Sequence, residues 1–247
     1  MKNQRILGNQ IVLTVFGILG LFVLAATLRV QEIPATSPVT GDTLPAPVVQ
    51  TESDSELLRD SYQALLKGNR DVALDKVNQV IAVAPHNKQA RMIRASIYGE
   101  QEQYDKAAAD YQAALDIDPK DTIAKFNLAE LNFMQKKYDE ARAGFDAVRP
   151  DESLGDFATF KVLLCDLLGA HEEAASKDLD ALNQVGGNPS YYFGNVAWNL
   201  VHHKPADAAD WLKTASRIYA QSPQKFANYT HSLISLGYLP IHLSSAQ

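Results

Sequence analysis

Residues Tyr104–Lys120 read YDKAAADYQAALDIDPK. Ala107 and Ala114 stand two helical turns apart, so one helix face offers only small side chains to a neighbour. Pro119 closes the stretch, because proline cannot donate the next backbone hydrogen bond. The same arrangement returns along the chain. Pro85 and Pro119 are 34 residues apart. Twelve before each proline sits an alanine (Ala73, Ala107), and eight before it a larger side chain (Val77, Tyr111). Five before come Val80 and Ala114, and twenty-four before come Ser61 and Ala95. A further 34 leads from Ala95 to Ala129, from Tyr104 to Tyr138, from Ala107 to Ala141 and from Tyr111 to Phe145.

Two antiparallel helices approach closely only where small residues face each other, and Ala95 with Ala107 and Ala114 supplies such a seam. Tyr98, Tyr104 and Tyr111 then fill the space towards the next pair, since a single hairpin leaves an apolar face open. Gly68-Asn69 provides a turn between the first two helices. This spacing resembles the tetratricopeptide repeat, a helix-turn-helix unit of about 34 residues. The resemblance covers roughly residues 54–221 and implies an all-α fold, a right-handed α-solenoid of about five helix pairs with a closing helix.

The later units are weaker. A step of 33 takes Ala129 to Val162, Ala141 to Ala174 and Val148 to Ala181, with Gly169 at the turn. A step of 34 then leads to Val196, Ala208 and Ala215. Pro150 arrives early, and GGNP at Gly186–Pro189 replaces the usual boundary, so altered packing angles are expected at both joints. In the closing helix Ser222 reads as N-cap, with Pro223 at the first helical position. Phe226, Tyr229, Leu233 and Leu236 form its apolar stripe, and Gly237 its stop.

The first thirty residues differ in kind. Ile11–Leu28 is eighteen residues without a charge, about 27 Å of helix at ~1.5 Å per residue, against a bilayer core of roughly 30 Å. Lys2 and Arg5 precede this run and Arg29 alone follows it. The positive-inside rule then keeps residues 1–10 cytoplasmic and exports the remainder. The expectation is an uncleaved transmembrane signal anchor over residues 11–28, single-pass in an inner membrane, with a periplasmic C-terminal domain. A cleaved signal peptide and a buried soluble helix are the competing readings. Residues 29–53 hold Pro34, Pro38, Pro45 and Pro47 among threonines and serines and read as an extended spacer. The solenoid is expected over residues 54–240, with a tail at 241–247.

Charge restricts the partners. Residues 1–30 carry three basic and no acidic residues, so the rest holds 20 of the 23 basic and all 29 acidic residues, a net charge of −9. Nucleic acid needs clustered lysine and arginine against its phosphates, and none is present. An anionic membrane surface is disfavoured for the same reason. Cys165 is the single cysteine and cannot form an internal disulfide.

In repeats of this family the first helix of every pair lines the concave side. The resemblance therefore implies a groove lined by Leu58, Tyr62, Met92, Ile93, Ser96, Phe126, Asn127, Glu130, Phe133, Thr159, Phe160 and Leu163. Such a lining suits an extended or helical apolar segment of another protein. The alternative is that tight curvature packs these side chains on one another. The carboxylate clamp of chaperone-binding members needs lysine, arginine and asparagine on the first helices. Leu58, Tyr62, Ile93 and Ile123 stand there with Asn127, so that clamp is not expected.

Catalytic signals are weak. His171-Glu172-Glu173 lacks the second histidine of a zinc helix, and the adjacent His202 and His203 point to different sides of a helix end. Cys165 in VLLCDLL reads as a buried thiol, Trp198 and Trp211 read as core, and Asp105, Asp110, Asp116 and Asp118 read as solvated. No phosphate-binding glycine loop is present. The expectation is no enzyme, no cofactor and no metal, but a membrane-anchored scaffold that binds other proteins. Its sharper form resembles the translocon-associated periplasmic repeat proteins, an ancillary chaperone of export. An assembly factor for an envelope complex and a homo-oligomer with the groove filled by a neighbour's helix remain open alternatives, with an enzyme whose site arises from the irregular fourth and fifth units as the outsider.

Overall fold

The computed structural model describes residues 52–240. The expected anchor at 11–28, the segments flanking it and the tail at 241–247 lie outside the described residues. Eleven helices and no strand occur among those described. They form five hairpins: α1 (Glu52–Leu66) with α2 (Arg70–Val83), α3 (Lys88–Glu100) with α4 (Tyr104–Ile117), α5 (Thr122–Met134) with α6 (Tyr138–Asp146), α7 (Gly155–Leu168) with α8 (Glu172–Val185), and α9 (Pro189–Val201) with α10 (Pro205–Ile218). Helix α11 (Pro223–Ser235) is the last of the described helices. Among these helices none is long and apolar enough to cross a membrane.

The repeat is visible in the backbone. Each hairpin turns through one residue in the left-handed region: Gly68, Glu102, Lys136, Ala170 and His203. At all five turns the next amide reaches back five residues, to the carbonyls of Ala64, Tyr98, Asn132, Asp166 and Asn199. This is the Schellman closure, which satisfies carbonyls that a helix end leaves open. Gly237 and Tyr238 end α11 in the same way. Three first helices begin alike, with Asn87, Asp121 and Asn188 accepting the amides of Ala90, Ala124 and Tyr191. Ser222 stands at the N-cap of α11 without a side-chain cap bond.

The turns also correct the register. Lys136 to Ala170 is a step of 34 and Ala170 to His203 a step of 33, so the short step falls one unit later than expected. The seam of α8 is accordingly Ala175 and Leu182; Ala174 is half-buried and Ala181 exposed. Gly169 keeps φ at −81°, and Ala170 makes the turn in its place. Sequence could not show this, because Ala174 and Ala175 are both small enough for the seam.

The helices fall into two compact units that divide between Pro119 and Lys120. In the first, α1–α4 enclose Ala73, Val77, Val80, Ala90, Ile93 and Ile97 with Leu58. Ala95, Ala107 and Ala114 are fully buried, as a close seam requires. In the second, α5–α11 bury Ala129, Ala141, Phe145 and Val148 and the whole apolar length of α7. Pro150 shortens α6 to nine residues. Asp151 then organises the chain into α7, accepting the amides of Ser153 and Leu154 and the hydroxyls of Ser153 and Thr122.

Candidate protein-binding surface

The residues expected to line a groove are largely covered. Leu58, Met92, Ile93, Ser96, Phe126, Asn127, Glu130, Phe133, Phe160 and Leu163 are buried, and only Tyr62 and Thr159 remain half-buried. In the second unit their rings fill the space between first helices. Phe126 lies 5.0 Å from Phe145 and 5.6 Å from Phe157, and Phe133 lies 6.3 Å from Phe145. In the first unit the Ser96 hydroxyl donates to the Met92 carbonyl and meets the Tyr111 hydroxyl at 3.0 Å. Bulky aromatics on adjacent first helices leave little room once close-packed.

Polar groups inside this apolar layer stand out. Lys161 of α7 reaches Glu130 of α5, Nζ to Oε1 2.7 Å, with both side chains 3% exposed. The contact lies off the angle of a directed hydrogen bond, so it acts through charge. The ammonium also sits 3.9 Å from the centroid of Phe133, over the ring face. One turn before Glu130 is Asn127, 2% exposed, whose amide nitrogen and oxygen both lack a hydrogen-bond partner. Buried amides are nearly always paired, and leaving one unpaired costs about 1–3 kcal/mol. Asn127 is thus the one expected groove residue that presents an unmet donor and acceptor together. Lys161 was missed in the sequence, since the register error assigned its position to the wrong helix face.

Farther along the same layer, α11 lies on first helices. The ring of Tyr229 is 4.9 Å from Phe157, 5.0 Å from Phe160 and 4.9 Å from Phe193. Its hydroxyl donates to the Asp156 carboxylate and meets the Ser190 hydroxyl at 3.3 Å. Phe160 is therefore roofed by α11 of the same chain.

Other expected sites are revised by tertiary contacts. Asp110 is not solvated: it is 3% exposed, forked by Arg94 at 2.6 and 2.8 Å, and met by Arg91 at 3.1 Å. Asp105 and Asp116 are exposed, and Asp118 pairs with Lys88 at 2.8 Å. Neither tryptophan is fully buried. Trp198 stacks on His202, 4.2 Å between centroids, and Trp211 joins a half-buried cluster with Tyr191 and Tyr192. His202 bonds Glu172 at 2.7 Å. Burial pushes the Cys165 thiol up to about 12, so it carries no nucleophilic thiolate. Among the described residues no group of three or more His, Cys, Asp or Glu is arranged to hold a metal ion.

Models of the tetratricopeptide repeat match residues 63–122 and 100–158. Over residues 63–158 the chain carries tetratricopeptide repeats. Solved structures of such proteins resemble it in fold. MamA 41-end from Desulfovibrio magneticus RS-1 has TM-score 0.56 at 13% identity, over 70% of this chain and 99% of that one. A tetratricopeptide repeat protein from Parabacteroides merdae ATCC 43184 has 0.55 at 15%, over 76% and 75%. PilW, described as a widely conserved type IV pilus biogenesis factor, has 0.55 at 16%, over 79% and 98%. No curated protein matches the chain. At these identities the likeness is one of fold, and tetratricopeptide repeats are a scaffold for protein–protein interaction.

Proposed function

We propose that this chain is a membrane-anchored scaffold that binds other proteins on the extracytoplasmic side, through the first-helix layer around Asn127. The observation that carries the reading is the doubly unpartnered amide of Asn127. A side-chain amide offers one acceptor beside two donors, which matches the acceptor and donor of a peptide group. A partner segment that parts the neighbouring rings and lays its backbone on Asn127 recovers the missing bonds. Phe126, the preceding residue and itself stacked on Phe157, supplies the apolar contact. The anchoring half of the reading rests on the uncharged run Ile11–Leu28 and the lysine and arginine before it.

Tethering raises the local concentration of whatever the scaffold holds near the membrane. Crosslinking in intact membranes, with wild type and Asn127→Leu compared, tests the site. Partner recovery falls in the variant while the fold is kept; equal recovery rejects Asn127 as the contact. Recovery of translocon subunits or exported chains identifies the export-chaperone form, and recovery of envelope machinery identifies the assembly-factor form. A reporter fused after Gln247 that works only in the cytoplasm rejects the topology.

A further inference from the structure

Helix α11 does not continue the stack as α9 does. α9 packs against both helices of the hairpin before it, α7 and α8. α11 instead packs on α9 and reaches α7 through Tyr229, whose ring sits among Phe157, Phe160 and Phe193. One turn earlier Phe226 lies 5.5 Å from Phe193. Two aromatic side chains spaced i, i+3 on one helix face thus enter a channel formed by two other helices, the geometry of a helix held in a groove.

The polar contacts of α11 are lopsided. Thr230 donates to the Phe226 and Ala227 carbonyls, Ser232 to Asn228 and Ser235 to Ser232, while Gln224 bonds Asn228. All of these stay within the helix. Among the described residues, the side-chain hydrogen bonds from α11 to the rest of the fold pass through Tyr229 alone, to Asp156 and Ser190. α11 therefore leaves its groove with its other side-chain hydrogen bonds intact; what holds it is the Tyr229 clasp together with the burial of Leu233 and Ile234. Its N-terminal Pro223 fixes a helical φ at the first position, which favours the helix when it is swung out. The four residues Tyr219–Ser222 between Ile218 and Pro223 supply the hinge.

The geometry points to α11 as an exchangeable occupant: the face of α7 and α9 is a helix-binding groove, and its outside occupant is α11 of a second copy. The groove selects for this helix because Asp156 requires a donor at the tip of an aromatic ring, which Tyr229 supplies and a plain apolar helix lacks. Exchange of an identical element between copies keeps each contact and adds no new one, a low-cost route to a dimer. The inference is independent of Asn127, because none of its readouts involves a partner held there.

The test uses the full chain in detergent and a labelled synthetic peptide of residues 222–240. The peptide binds the Tyr229→Ala chain at least about ten-fold more tightly than wild type, since a resident helix no longer competes for the groove. A peptide carrying the same substitution does not bind. Sedimentation of wild type shows a dimer fraction that rises with concentration and disappears in Tyr229→Ala. Equal affinity for both chains, or no binding to a Tyr229→Ala chain with unchanged circular dichroism, overturns the groove. A wild type monomeric at every concentration overturns the second copy as occupant. Should Tyr229→Ala fail to fold, Tyr229→Phe keeps the ring and loses only the clasp; about five-fold tighter binding is then expected.

Discussion

Lys161 on α7 places its ammonium nitrogen 2.7 Å from Oε1 of Glu130 on α5, and both side chains are 3% exposed. Removing one partner strands the other charge in an apolar layer, which costs about 3–5 kcal/mol. Lys161→Met alone is expected to destabilise the second unit by that order. The double variant Glu130→Leu with Lys161→Met recovers most of the loss, because no charge is left to desolvate. Denaturant unfolding of the single and double variants measures both; a double variant as unstable as Lys161→Met contradicts the reading.

Gly144 of α6 and Ala129 of α5 form a close seam in the third hairpin. A Cβ on Gly144 would lie 2.7 Å from the Cβ of Ala129. Gly144→Ala is expected to cost about 1–3 kcal/mol despite alanine's better helix propensity, since backbone must shift. Adding Ala129→Gly reopens the space and restores part of the loss. Thermal unfolding of the two variants would decide this, and a more stable Gly144→Ala would refute the close seam.

Among the five hairpin turns the left-handed residue is glycine only at Gly68; Glu102, Lys136, Ala170 and His203 take the same φ at a steric cost of roughly 1–2 kcal/mol each. Gly68→Ala should destabilise the first unit by about 1 kcal/mol. Lys136→Gly should stabilise the second by a smaller amount, because glycine's unfolded-state entropy offsets part of the relief. Opposite signs in paired melting experiments are the expected outcome, and equal signs would place the strain elsewhere.

Asp151 ties pH to stability. Burial raises its pKa, but hydrogen bonds from Ser153, Thr122 and Leu154 outweigh burial and hold the carboxyl at about 2, below its ordinary 3.8. Between those values the unfolded chain binds more protons than the folded one, so stability rises with pH there. The contribution is complete above pH 3.8 and is lost as pH falls towards 2. Asp151→Asn should flatten this acid limb in a series of unfolding curves. An unchanged slope would show that other carboxylates carry it.

Much of the fold was legible because its causes are local. Small residues at 34-residue spacing and prolines behind second helices each act through their own backbone turn. Where several residues served equally well, tertiary packing chose. Ala174 and Ala175 are both fit for a seam, and only contact with the neighbouring helix selected Ala175 and moved the short step one unit on. Asp110 looked like a solvated charge until two arginines on another helix closed over it.

By itself the sequence determined the helical hairpins and their number, since side-chain size and the missing amide of proline are properties of each residue and its near neighbours. Only the tertiary structure decided what became of the first-helix layer: rings interlocked over it, a lysine and a glutamate paired inside it, Asn127 was left unpartnered, and Tyr229 reached Asp156 across 73 positions. Contacts of that range depend on how whole helices pack, and no local pattern along the chain encodes them.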